Sequence, residues 1–170
     1  MALKDRKEEL TAVAREFFTK IMALSNEVRQ DDKTRTGIAV FVWKQFTADL
    51  INIEIGEASD PAKFFVHEKA VRSSLNGELS SRDSADAENF RFPGSITMTD
   101  KNGNTWVVSI SGIKGSEDEA GSILVMSKVA KCTIQEVLEN LDSVHSILPD
   151  FASDGDHYLS KVIGYKVPIG

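Results

Sequence analysis

Cysteine is nearly absent: the 170 residues include one, Cys132. No disulfide can form within the chain, and a metal cage of several thiolates is excluded. Histidine is scarce, with three residues, and none stands at ligand spacing from another. No run approaches the ~18 apolar residues of a membrane span, and the opening MALKDRKEEL lacks the apolar stretch of a secretory leader. Positive charge is in deficit, with 20 Lys+Arg against 26 Asp+Glu and a net charge of −6. An acidic surface repels phosphate, so neither a general nucleic-acid binder nor a polybasic membrane anchor is expected. One thiol and no leader lead us to expect a cytoplasmic protein. With 41% hydrophobic and 27% charged residues, the chain reads as one soluble domain over 1–170, large enough for its own core.

Apolar periodicity assigns the elements. Leu10, Val13, Ala14, Phe17, Phe18, Ile21, Leu24 and Val28 recur at three- and four-residue steps and predict one amphipathic helix over 3–29. A polar break, 30–37, follows. Ile38–Trp43 is continuously apolar, and Leu50–Ile55 alternates, with Ile51, Ile53 and Ile55 on one face. Together they predict a hairpin. Asp60-Pro61 opens a second helix, with Asp60 as cap, and Asn76-Gly77 ends it. Its face of Ala62, Phe65, Val66, Ala70 and Ser73 is small at one end, which permits close approach to a sheet or a twin subunit. Residues 78–91 read as a polar loop, with room for a short helical turn. Asn102-Gly103 turns a second hairpin of Ser95–Thr99 and Thr105–Ser111.

Ser116 and Glu119 form a capping-box pattern at the start of a third helix. Thr133 and Glu136 repeat it for a fourth, whose stripe of Ile134, Val137, Leu138, Leu141, Val144 and Leu148 stops at Pro149. Partial alternation over Tyr158–Val167 predicts an edge strand. Two hairpins separated by a helix favour an α+β fold, an antiparallel sheet with helices on its faces. No repeat, low-complexity tract or linker divides the chain.

Few residues carry chemistry on pattern alone. His67, beside Glu68 and two residues before Lys69, is read either as a ligand or acid–base group or as a solvent-facing histidine next to a charge pair. Asp154-Gly-Asp156-His157 lacks the full calcium-loop pattern and reads as a polar loop. Glu117-Asp118-Glu119 sits at a helix start, where acidic residues suit the dipole. The turn Ser111-Gly-Ile-Lys114-Gly115 before it exposes backbone amides able to hold an anion, although neither a Walker pattern nor GxGxxG is present. Cys132 falls between two helices with no base assigned. Trp43 and Trp106 read as core or interface aromatics.

Three segments share order and spacing with one family. His67-Glu68-Lys69-Ala70, Phe92-Pro93-Gly94-Ser95-Ile96, and Val107-Val-Ser-Ile-Ser111-Gly112 followed by Gly115-Ser-Glu117-Asp118-Glu119-Ala120 together resemble the GlcG/HbpS-like, or haem-degrading-domain, family. The resemblance covers a core of 37–130. The helix within 1–30 and the segment 131–170 are additions to it. The chain departs from the family in its first hairpin turn, Lys44–Asp49, in Ser95 where many members have a second glycine, and in the loop 78–91. The resemblance implies a profilin-like central antiparallel sheet of about five strands flanked by helices, homo-oligomers built on dimers, and in some members haem binding.

These readings lead to a small-ligand-binding protein, with haem or another tetrapyrrole among the ligands the resemblance implies. The expected site combines His67, Lys69, Phe92, Gly94, Ser111, Gly112, Lys114 and Glu117, with His67 as axial ligand and Lys69 or Lys114 pairing with propionates. The alternative is an enzyme on a small oxygenated or carboxylated metabolite, with Glu117 or Asp118 as acid–base group and the amides of Gly112–Gly115 steadying an oxyanion. A third reading is an oligomeric structural or adaptor subunit with no small-molecule site. Apolar stripes on the first and fourth helices lead us to expect a homo-oligomer, a dimer or an assembly of dimers.

Overall fold

Both predicted hairpins form in the computed structural model, which describes residues 1–168. A 3₁₀ turn, Leu3–Arg6, leads into α1 (Lys7–Met22), then α2 (Asn26–Arg29), β1 (Gly37–Lys44), β2 (Leu50–Gly56) and α3 (Asp60–Asn76). Two 3₁₀ turns, Ser81–Ser84 and Ala87–Asn89, precede β3 (Ser95–Thr99), β4 (Thr105–Ser111), α4 (Gly115–Val129) and α5 (Ile134–Ser143). A further 3₁₀ turn, Asp150–Ser153, and α6 (Tyr158–Ile163) follow.

The hairpins join through β1 and β4 into one antiparallel sheet of order β2-β1-β4-β3. The fold is therefore α+β. Central β1 is buried on both faces, which explains its unbroken apolar run, whereas edge strand β2 is buried on alternate residues. Ile38, Val40 and Val42 of β1 and Val108 and Ile110 of β4 enter the main core with residues of α1, α4, α5 and α6. On the opposite face, Ala39, Phe41 and Val107 meet a single helix, α3, through Ala62, Val66 and Ala70. The small side chains expected on α3 are what bring it close to the sheet.

Several expectations need correction. The helix predicted over 3–29 breaks after Met22, because the Ser25 hydroxyl accepts the Val28 amide at 3.2 Å and starts a new turn. Ser59 rather than Asp60 caps α3, accepting from the Ala62 amide at 3.2 Å. The third predicted helix begins at Gly115, with Glu117 reaching back to the Lys114 amide at 3.2 Å, instead of a Ser116/Glu119 box. Among the described residues the sheet has four strands. Most of the segment expected as an edge strand is helical, over Tyr158–Ile163: Leu159, Val162 and Ile163, at helical spacing, are buried in the main core. The apolar stripes of the terminal helices also lie in that core, through Leu10, Ala14, Phe17 and Ile21 of α1 and Val137, Leu138 and Leu141 of α5. Val28 and Val144, at the ends of those stripes, are exposed. No helix among the described residues is long and apolar enough to cross a membrane.

Candidate functional site

Helix α4 runs through the interior, and its start is the most charged place in the core. Successive helical residues turn by about 100°, so Glu117, Asp118 and Glu119 point in three directions. All three are buried, and each meets a different cation. Arg29, at the end of α2, donates to Glu117 through Nε at 2.8 Å and Nη2 at 2.7 Å, and Nη2 also reaches Asp31 at 3.0 Å. The Tyr158 hydroxyl donates to Glu117 at 2.9 Å. Lys69 of α3 donates to Asp118 at 3.0 Å and to the Ile110 carbonyl at 2.8 Å. Arg82, from the 78–91 loop, grips Glu119 through Nε at 2.9 Å and Nη2 at 2.7 Å.

Burial disfavours charge, and paired cations restore it. Burial pushes Asp118 up to about 7 against the opposing pull of Lys69. It also raises Glu119, with Arg82 opposing. The Arg29 guanidinium is raised by its hydrogen bonds to Glu117, and that of Arg82 by Glu119. The Tyr158 phenol is pushed up by burial and by the adjacent Glu117. Asp31 is lowered by its hydrogen bond to Arg35.

Beside this start lies a cavity of about 390 Å³. One wall is the beginning of α3, with Ser59, Pro61, Ala62 and Phe65, and another is the turn Ser111–Gly115. Phe92 closes a side, packed edge-on against Phe65 at 5.1 Å and held by its carbonyl, which accepts from Arg72 at 2.7 Å. Lys33 and Arg35 also line it, together with the buried Lys69–Asp118 pair. Gly94 makes that pair possible. At φ 135°, a Cβ there would sit 2.7 Å from Lys69 Nζ, 2.8 Å from the Ile110 carbonyl and 3.0 Å from Asp118 Cβ. At Gly112, also at φ 135°, a Cβ would sit 2.5 Å from the Gly37 carbonyl.

Of the residues singled out from sequence, Lys69, Phe92, Ser111, Gly112, Lys114 and Asp118 line this one cavity. Gly94 lies beneath it. Lys114 sends its ammonium to the Arg29 carbonyl at 2.6 Å. Glu117 faces away, toward Arg29 and Tyr158, and is not placed to act on a cavity ligand. His67 lies outside as well. Its Nδ1 donates to the Lys63 carbonyl at 3.1 Å, and its Nε2 sits 2.7 Å from the Asn52 amide oxygen, in a separate groove between α3 and β2. The amides of the turn are partly used: Ile113 donates to Asp118 at 3.2 Å and Lys114 to Glu117 at 3.2 Å.

Sequence reading missed Lys33 and Arg35, which sit in the stretch taken as a polar break, and Arg82, in the polar loop. The available signal was three consecutive acids opening a helix of small and apolar residues. Such a helix is buried on most sides, so its acids need internal cations. Elsewhere, the Asp154–His157 segment closes on itself, with Asp154 accepting from the Asp156 amide at 2.9 Å and His157 capping α6. Cys132 is half-buried and its thiol is pushed up by burial, which makes a poor nucleophile.

The chain matches no protein-family model, no curated protein and no solved structure. Haem, implied by the resemblance, does not fit the cavity. No imidazole, thiol, thioether or phenol lines it, and the Lys69 amine is committed to Asp118 and Ile110.

Proposed function

We propose that the chain is a small-ligand-binding protein of the GlcG/HbpS-like type, with a profilin-like fold, and that its cavity takes a small organic anion such as a carboxylate or a phosphate ester. The observation that carries this reading is the charge around the cavity. Lys33, Arg35, Lys69 and Lys114 line it; Lys69 is paired with Asp118 and Arg35 with Asp31, whereas Lys33 and Lys114 have no carboxylate partner among the described residues, in a chain of net charge −6. Local placement thus overcomes the overall repulsion of anions. The aromatic wall of Phe65 and Phe92 offers an apolar surface for the ligand's carbon skeleton. Native mass spectrometry of the purified protein reports a retained ligand. Calorimetry against a panel of small carboxylates and phosphate esters reports its class. We expect binding that weakens about tenfold in Arg35→Gln, the loss of one charge-assisted contact, and that declines with added salt. Absence of binding by every anion at millimolar concentration overturns the reading.

A second reading is favoured by the placement of Asp118, which lines the cavity where burial pushes its carboxyl up to about 7. That value suits a general acid–base group acting on a small oxygenated or carboxylated metabolite. Turnover of a bound metabolite, lost in Asp118→Asn while binding persists, supports this reading. Binding without turnover leaves the protein a binder.

A further inference from the structure

Strand β2 forms one edge of the sheet. At its two ends the Lys44 amide donates to the Asp49 carbonyl and the Glu57 amide to the Thr36 carbonyl, both at 2.9 Å. Between those bonds the register with β1 is unbroken over seven pairs. Hydrogen-bonded pairs alternate along such a ladder. Ile51, Ile53 and Ile55 therefore bond to β1. The backbone N–H and C=O groups of Leu50, Asn52 and Glu54 point away from the sheet, where none finds a partner among the described residues. The other edge is closed. There the Thr97 amide donates to the Leu79 carbonyl at 2.9 Å and the Ser95 amide to the Ser81 hydroxyl at 3.0 Å.

Natural edge strands are commonly blunted by lysine, proline or a bulge. β2, Leu50-Ile-Asn-Ile-Glu-Ile-Gly56, has none of these. Its one charge, Glu54, is drawn toward α3, accepting from the Ala58 amide at 2.9 Å and pairing with Lys63 at 3.6 Å. Between this edge and α3 lies a groove of about 310 Å³. Ala39, Ile53 and Val66 line it, together with Asn52 and His67, which are bonded at 2.7 Å. The two ends of β2 differ in chemistry. At the β1–β2 turn, Phe46 is 64% exposed and Leu50 41%. Where β2 runs into α3, Glu54, Glu57 and Asp60 are exposed against Lys63, because Lys33 and Arg35 line the cavity on the other side of α3.

A row of free main-chain donors and acceptors is matched by another extended main chain. We infer that the open edge of β2, with its groove against α3, captures an extended segment of another protein as an added strand. Alternate side chains of a strand share a face, so apolar residues at every second position enter the groove, and a lysine or arginine lies over the acidic end. Charge selects a basic foreign segment over a second copy, since copies of net charge −6 repel one another.

Selection of a displayed library of random seven-residue peptides, the length of β2, against the whole chain tests this. Enriched peptides are expected to carry apolar residues at alternate positions and Lys or Arg at one end. A synthetic copy of the most enriched peptide, followed by fluorescence anisotropy, should lose at least about tenfold in affinity when alternate backbone nitrogens on its bonding edge are methylated. Exchanging its terminal cation for Glu should weaken it at least threefold, and less at high salt. Asn52→Pro removes an outward N–H and leaves the β1 ladder intact, because an edge strand tolerates proline where the N–H faces solvent. It should weaken the peptide about tenfold, whereas Asn52→Ala, which keeps that N–H, should stay within threefold. Hydrogen exchange of the wild type needs no variant to fold: the Asn52 and Glu54 amides should slow when the peptide is added. Failure to enrich any alternating peptide overturns the inference. So does a peptide indifferent to methylation and to Asn52→Pro, a preference for acidic ends, or exchange unchanged by the peptide. Slowing of those amides with protein concentration alone also overturns it, since a second copy would then be the occupant.

Discussion

Lys69 of α3 and Asp118 of α4 meet at 3.0 Å past the end of β4, although their helices lie on opposite faces of the sheet. Neither side chain is more than 4% exposed. The pair therefore fastens the two helical layers together and also faces the cavity. Desolvation of both ions costs several kcal/mol, which their attraction repays only with good geometry and further hydrogen bonds. The Ile110 carbonyl and the Ile113 amide supply such bonds, yet burial still outweighs them for Asp118, whose carboxyl is pushed up to about 7.

The Asp118 carboxyl should titrate in the folded protein with a midpoint near 7, well above its ordinary 3.8. The folded state then holds this proton more tightly than the unfolded chain. This group's contribution to stability is greatest below about pH 4 and is lost as pH rises to about 7. Carbon-detected NMR of the Asp118 carboxyl reads the midpoint. A midpoint near 4 would show that Lys69 outweighs burial.

Gly94→Ala places a methyl group 2.7 Å from Lys69 Nζ and 2.8 Å from the Ile110 carbonyl, at φ 135°. Backbone strain alone costs about 1–3 kcal/mol. We expect a loss of at least about 2 kcal/mol, read from the urea midpoint, together with weaker anion binding.

Removing Arg29 strands Glu117 in the core. Arg29→Met should destabilise by about 3–5 kcal/mol, whereas Arg29→Met/Glu117→Leu should recover much of that loss, because no unpaired charge remains buried. Chemical denaturation of the two variants beside the wild type measures the difference. Equal losses would mean that the pair is less desolvated than its 4% and 0% exposures indicate.

Haemin should give no histidine-ligated Soret band attributable to the cavity, and His67→Ala should leave small-anion binding within about twofold, since His67 bonds to Lys63 and Asn52 in a different groove. A Soret shift abolished by that substitution would place haem in the α3–β2 groove.

Local pattern accounts for much of the fold. Period-two alternation marked Ile51, Ile53 and Ile55 as the inner face of β2, and Asn102-Gly103 placed the second turn. Thr133 with Glu136 marked the start of α5. All of these depend on neighbours in sequence, where side-chain periodicity and capping act. The same reasoning failed at Tyr158–Val167, where burial of Leu159, Val162 and Ile163 decided for helix over strand.

The cavity divides along the same line. From sequence, Lys69, Phe92, the Ser111–Lys114 turn and Asp118 stood out through their local setting and the family resemblance, and they gather at one place. Which acid faces the cavity was not legible, because a 100° step sends Glu117 to Arg29 and Asp118 to Lys69. Nor were the cations Arg29, Arg82, Lys33 and Arg35, which come from segments with no periodicity. An ion pair between residues 88 apart, such as Arg29 and Glu117, leaves no trace in local pattern. It exists because folding brings two charges out of water together, and only the tertiary structure selects which charge answers which.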